Sequence, residues 1–148
     1  MRLKLSNDTN PLLNTVTAYG DGYIEVNRAR FEHAVAFGPE GEIGHWPVAS
    51  ADEITTELLR QAAGLRQAAT DPMAFLDADE SSAIRPPNAP EVLLVGTGPR
   101  QRFLHPSILQ PLLRIGIGVE TMDTQAAART YNILMAEGRR VVVALLPA

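Results

Sequence analysis

The chain of 148 residues has no cysteine. That absence excludes a disulfide scaffold, a thiol nucleophile and a thiolate metal site. No apolar run approaches the ~20 residues that a membrane-spanning helix needs. Near the start, Arg2 and Lys4 are followed at once by Ser6, Asn7, Asp8 and Asn10. A secretory signal needs an apolar stretch there, so no signal is expected and a cytoplasmic location is predicted. His33, His45 and His105 are scattered, and none forms a helical pair with an acid, which gives a metal site little support. Ser6, Ser50, Ser81, Ser82 and Ser107 lack the context of a nucleophile elbow, and the nearness of His105 to Ser107 is no evidence of a triad. The acidic run Asp77, Asp79, Glu80 lacks the glycine of a calcium loop.

What is present points to an ordinary folded chain. Hydrophobic residues make up 45% and charged residues 20%, near the globular average, so disorder throughout is excluded. The length suits a single domain over residues 1–148. Net charge is −4, which argues against a nucleic-acid partner. The charge is unevenly spread, with net −7 in residues 1–84 and net +3 in residues 85–148. The basic half can meet an anionic partner, or the two halves can simply attract each other. Arg100 and Arg102 beside Phe103, and Arg139 with Arg140, supply too few aromatics for single-strand binding.

The first half reads as β structure. Val16 to Tyr19 and Tyr23 to Val26 are β-prone runs, and Gly20-Asp21-Gly22 between them predicts a hairpin. Phe31 to Phe37 is a further run closed by Gly38-Pro39-Glu40-Gly41, and a short extended piece follows around His45 to Val48. Ser50 with Glu53 three residues on is a capping-box pattern, which predicts a helix over about 51–68 that weakens at Gly64. Residues 70–90, with Pro72, Pro86, Pro87 and Pro90 beside the acids, are expected to form an exposed loop.

The second half alternates. Glu91 to Val95 is a continuous apolar strand, which suggests burial on both faces. A helix is predicted from Pro106 to Gly116, a strand over Ile117 to Met122, a helix over about 125–137 capped by Asp123 or Thr124, and a strand over Val141 to Leu146. This βαβαβ order implies an α/β fold with parallel pairing and right-handed crossovers.

Ligands of parallel sheets bind beyond the carboxyl ends of the strands. Here those ends supply Thr97, Arg100, Gln101, Asp123 and Thr124, with Arg129 and Asn132 from the following helix. An arginine amid short polar groups can hold a carboxylate or phosphate. Gly96-Thr97-Gly98-Pro99-Arg100-Gln101, with Asp123 downstream, invites a dinucleotide reading. Against it, Gln101 stands where the third glycine belongs, and Pro99 interrupts the loop. The alternative is internal: the glycines serve a turn, Asp123 and Thr124 cap the helix, and Arg129 pairs with an acid. An open concavity at this rim favours a ligand site, and a rim filled by Arg129 favours a protein surface.

Three blocks carry a family likeness. They are Pro90 to Gly98 with Arg100-Gln101-Arg102-Phe103, then Gly116 to Thr124, then Ala127-Ala128-Arg129-Thr130-Tyr131-Asn132-Ile133-Leu134 with Ala136 to Arg139. Together they resemble the uncharacterised-domain family that includes mitochondrial complex I assembly factor three. The resemblance implies a three-layer fold with a mixed central sheet, flanking helices and an extra N-terminal β layer. It implies no agreed catalytic residues and no cofactor, and it suggests a protein partner among the subunits of a membrane complex. The expected function is therefore a non-enzymatic protein-binding factor in assembly. The alternative is a small-molecule or nucleotide binder using the same rim. The longer stretch before Glu91 departs from the family layout.

Overall fold

Side chains alternate along the strands, and in the computed structural model that alternation divides the interior into two apolar clusters, one on each face of a central sheet. The structure describes residues 13–65 and 89–148. The amino-terminal part forms β1 (Val16–Gly20), β2 (Tyr23–Val26), β3 (Ala29–Phe31), β4 (Val35–Phe37) and β5 (Gly44–His45), then a short 3-10 turn (Ala51–Glu53) and α1 (Thr56–Ala62). The rest forms β6 (Val92–Gly96), α2 (Pro106–Arg114), β7 (Gly118–Met122), α3 (Thr124–Ala136) and β8 (Val141–Leu145). Strands β1, β2 and β3 make one antiparallel sheet. The central sheet has the order β5-β4-β8-β6-β7, with β6 parallel to both its neighbours and β4 antiparallel to β8. The expected mixed sheet with a βαβαβ unit and an added β layer is what the chain forms.

The continuous apolar β6 shows why burial on both faces follows from its composition. Leu93 and Val95 point into one cluster with Leu112 of α2 and Trp46, while Leu94 points into the other with Ala127, Ala128 and Tyr131 of α3. Each fully buried leucine contributes roughly 1.5–3 kcal/mol. The step from β6 to β7 and the step from β7 back past β6 to β8 run in opposite directions. Crossovers of one hand then place their helices on opposite faces, as the two clusters require. Val16, Ile24 and Val26 of the small sheet join the α3 cluster, so that layer closes the same face.

Several local expectations shift. The run Phe31 to Phe37 is two strands in different sheets, Phe31 ending β3 and Val35 opening β4. Ser50 makes no side-chain cap; the α-helix begins later, where the Thr55 hydroxyl accepts from Leu58 N at 3.2 Å. Glu53 does reach back, but to Ala49 N at 2.9 Å. The helix ends at Ala62, two residues before Gly64 at φ +78°. The loop expected over 70–90 lies, save its last two residues, outside the described residues.

Sheet and helix are joined by polar contacts that span the sequence. Tyr131 is buried in α3, and its hydroxyl donates to the Asn14 carbonyl at 2.8 Å. Burial pushes its pKa above the ordinary tyrosine range. A raised folded value means the folded chain holds the proton more tightly than the unfolded one. That contribution is complete below the ordinary tyrosine pKa of about 10 and is lost as pH rises above it. Urea midpoints of the wild type should therefore fall as pH rises above about 10. Tyr131→Phe should flatten that slope while costing about 1–2 kcal/mol at neutral pH. An unchanged slope contradicts the assignment.

Candidate functional site

The parallel strands end together at one rim, and the chain leaves β6 and β7 toward opposite faces. Such a point opens a crevice in many α/β sheets. Here backbone groups and two threonines bond across it. Thr97 N donates to Met122 O at 2.9 Å, and Thr124 N donates to Gly98 O at 2.8 Å. The Thr124 hydroxyl, fully buried, accepts from Gly98 N at 2.9 Å and donates to Leu146 O at 2.5 Å. One side chain thus joins the ends of β6, β7 and β8. Gly96 is needed for space: a Cβ there would stand 2.8 Å from Leu145 Cδ2 and 2.9 Å from Thr124 Cα. Gly98 is needed for its φ of +102°, since nothing crowds it.

The seven residues predicted for this rim divide into four sets. Thr97 and Thr124 point inward and are spent on the turn; Thr97 Oγ1 donates to Arg100 O at 2.6 Å and accepts from Arg102 N at 3.0 Å. Asp123 caps α3, accepting from Ala126 N at 2.9 Å. Arg100 and Gln101 are exposed, with Gln101 Nε2 donating to Thr121 O at 2.9 Å. Arg129 and Asn132 turn toward the small sheet instead. Arg129 is exposed and donates to the Tyr19 hydroxyl at 3.1 Å rather than pairing with an acid. Asn132 accepts from Val16 N at 3.0 Å and donates to Val16 O at 2.9 Å, serving β1 as a neighbouring strand would. The internal bonds at the rim are made by Thr97 and Thr124, whereas Arg129 bonds to Tyr19.

Other features were not legible beforehand. Asn14 is a junction: its amide donates to Gly38 O and Gly41 O, both at 2.9 Å, and its side-chain oxygen accepts from Asn27 at 2.8 Å. Nothing distinguishes it in the sequence from the polar residues around it. His33 and His45 stack with centroids 4.4 Å apart, whereas His105 caps α2 and accepts from Ser107 N at 3.1 Å. Among the described residues no three His, Asp or Glu side chains group as metal ligands. A cavity of about 690 Å³ lies at the opposite rim, beside Phe37, Met135 and Arg139. Arg139 pairs there with Glu91 at 2.9 Å, and that hydrogen bond raises its pKa further. Leu13, Gly64 and Pro90, which border the undescribed stretches, also line this cavity.

The architecture defines an α/β class: a mixed five-stranded sheet, helices on both faces and a small antiparallel sheet beside α3. The chain belongs to the family described as protein of unknown function (DUF498/DUF598), which it matches over residues 16–146. It is 66% identical to a Bordetella pertussis protein described as a Mth938-like domain, whose solution structure it matches at a TM-score of 0.78, covering 98% of this chain and 92% of that one. A crystal structure from Bordetella parapertussis is 61% identical at a TM-score of 0.75, covering 92% and 97%. Among curated proteins, it is 46% identical over 57 residues to NADH dehydrogenase [ubiquinone] 1 alpha subcomplex assembly factor 3 of Mus musculus. That match covers 38% of this chain and 31% of the mouse protein.

If the Thr124 hydroxyl holds the rim, Thr124→Val strands Gly98 N–H and Leu146 C=O without partners. The loss should be on the order of 2–4 kcal/mol, read from urea unfolding. Thr124→Ser should recover most of it. Equal stability of the valine and serine variants would show that the hydroxyl is dispensable.

Proposed function

We propose that the chain is a non-enzymatic protein-binding factor that assists assembly of a respiratory membrane complex, acting from the cytoplasm. The observation that carries this reading is the internal hydrogen bonding at the rim. Where a parallel sheet would admit a small molecule, Thr97 and Thr124 already satisfy the backbone, while Arg100 and Gln101 are exposed. A ligand needs a concavity, whereas a protein partner needs a firm surface. The name of the mouse relative supports assembly of NADH dehydrogenase as the setting. Among the described residues no helix is long and apolar enough to cross a membrane, so a role in a membrane complex requires partners within it. The alternative is a small-molecule or nucleotide site at the same rim, where the internal bonds of Thr97 and Thr124 favour the protein-binding reading.

Arg129 is exposed and bonded only weakly to Tyr19, so Arg129→Ala should change stability by less than about 0.5 kcal/mol. Quantitative affinity capture from native extract, with wild type and Arg129→Ala at equal folded concentration, tests the proposal. Enrichment of respiratory-complex subunits by the wild type, reduced severalfold in the variant, is expected. If the wild type enriches no respiratory subunit, the assembly reading fails.

A further inference from the structure

We propose that the loop bearing Phe103 is a docking hook for a protein surface that has an apolar socket rimmed by carboxylates. The inference rests on the protein-binding reading above and names its surface and the chemistry of its partner.

Phe103 is 85% exposed, the most exposed large apolar side chain among the described residues. A single exposed apolar residue needs no explanation by itself. What sets this one apart is how firmly its loop is held. Thr97 Oγ1 bonds to Arg100 O and Arg102 N, Gln101 bonds to Thr121 O at the sheet edge, and Arg102 Nη2 bonds to Asp52 Oδ1 at 2.6 Å. Directly after the ring, Leu104 packs against the cluster beneath α1 and α2, and His105 caps α2. The backbone is thus fixed on both sides of Phe103, and the ring is aimed into water. An aromatic side chain on a backbone already fixed leaves less to be ordered on docking, which suits an interface anchor.

The charges beside the ring define the partner. Arg100 is exposed and makes no ion pair among the described residues. Arg102 pairs with Asp52, but their side chains are 52% and 79% exposed, so a partner's carboxylate can compete for the guanidinium. Arginine and aromatic residues together are the types that dominate interface hot spots. A single ring offers one stacking platform, and the acidic chain repels a polyanion, so single-stranded nucleic acid fits poorly. A bilayer fits poorly too, because one ring is a smaller apolar anchor than the single acyl chain that binds only marginally.

The test replaces Phe103 with p-benzoylphenylalanine and irradiates the purified protein in native cell extract, with the same probe at Arg28 as the control. The expected product is a protein adduct specific to position 103, with its attachment peptide carrying an apolar residue flanked by acids. Arg100→Glu should cut the yield at least tenfold, and changing the partner's acids to lysine should restore it. Unchanged melting temperatures confirm that these exposed substitutions leave the fold intact. Adducts no more frequent than at Arg28, adducts to RNA or phospholipid, or a yield indifferent to Arg100→Glu each overturn the proposal. If a partner found by affinity capture binds Phe103→Ala within twofold of wild type, the hook fails and the protein-binding reading stands. If neither assay yields a protein, both fail.

Discussion

The buried hydroxyl of Thr124 ties the carboxyl ends of three parallel strands into one unit. It accepts a hydrogen bond from Gly98 N–H after β6, donates one to Leu146 C=O after β8, and itself follows β7. Parallel strands cannot be joined by short hairpins, so their ends diverge into separate crossovers. Something must satisfy the backbone where they part, and a hydroxyl can both accept and donate in one place. The absence of a side chain at Gly96 lets Thr124 approach, and the positive φ of Gly98 aims its N–H at the hydroxyl. The glycine turn and Thr124 thus fasten the strand ends to one another.

The difference between local and long-range causes explains what could be read from the sequence and what could not. The C-terminal elements announce themselves through Pro106, Gly116, Asp123 and Gly138, each a start or stop whose reason is local, and the observed elements fall where they predict. The hairpin of β1 and β2 is local as well, closing on Gly22 at φ +76°. The β2–β3 turn was hidden because Asn27-Arg28 takes positive φ without a glycine, at +54° and +69°, held by contacts to Thr15 and Thr17. The helix start was misplaced because Ser50 and Thr55 both suit a cap, and tertiary contact decided between them: Thr56 bonds Ile108 O across to α2 at 2.8 Å.

The rim was legible as a place and not as a chemistry. Strand-end position correctly brought Thr97, Gln101, Asp123 and Thr124 together, because topology alone dictates it. Side-chain direction is a different matter. Arg129 and Asn132 lie a turn or two into α3, where the helix has already rotated toward the small sheet, and they meet Tyr19 and Val16 instead. Asn14 left no trace in the pattern, since its role depends on partners from Asn27 to Tyr131.

The contacts of Asn14 and Val16 with α3 also have a temporal side. Tyr131 and Asn132 stand 117 and 116 residues beyond their partners, so the small sheet is translated first and its seat last. While the ribosome is still making the middle of the chain, Val16, Ile24 and Val26 have no apolar cover from α3. An isolated strand pair or triplet without such cover is marginal in water. Long-range closure of this kind slows folding and prolongs the exposure of sticky strands. The chain would thus pass through a nascent stage in which its first layer waits for its last helix.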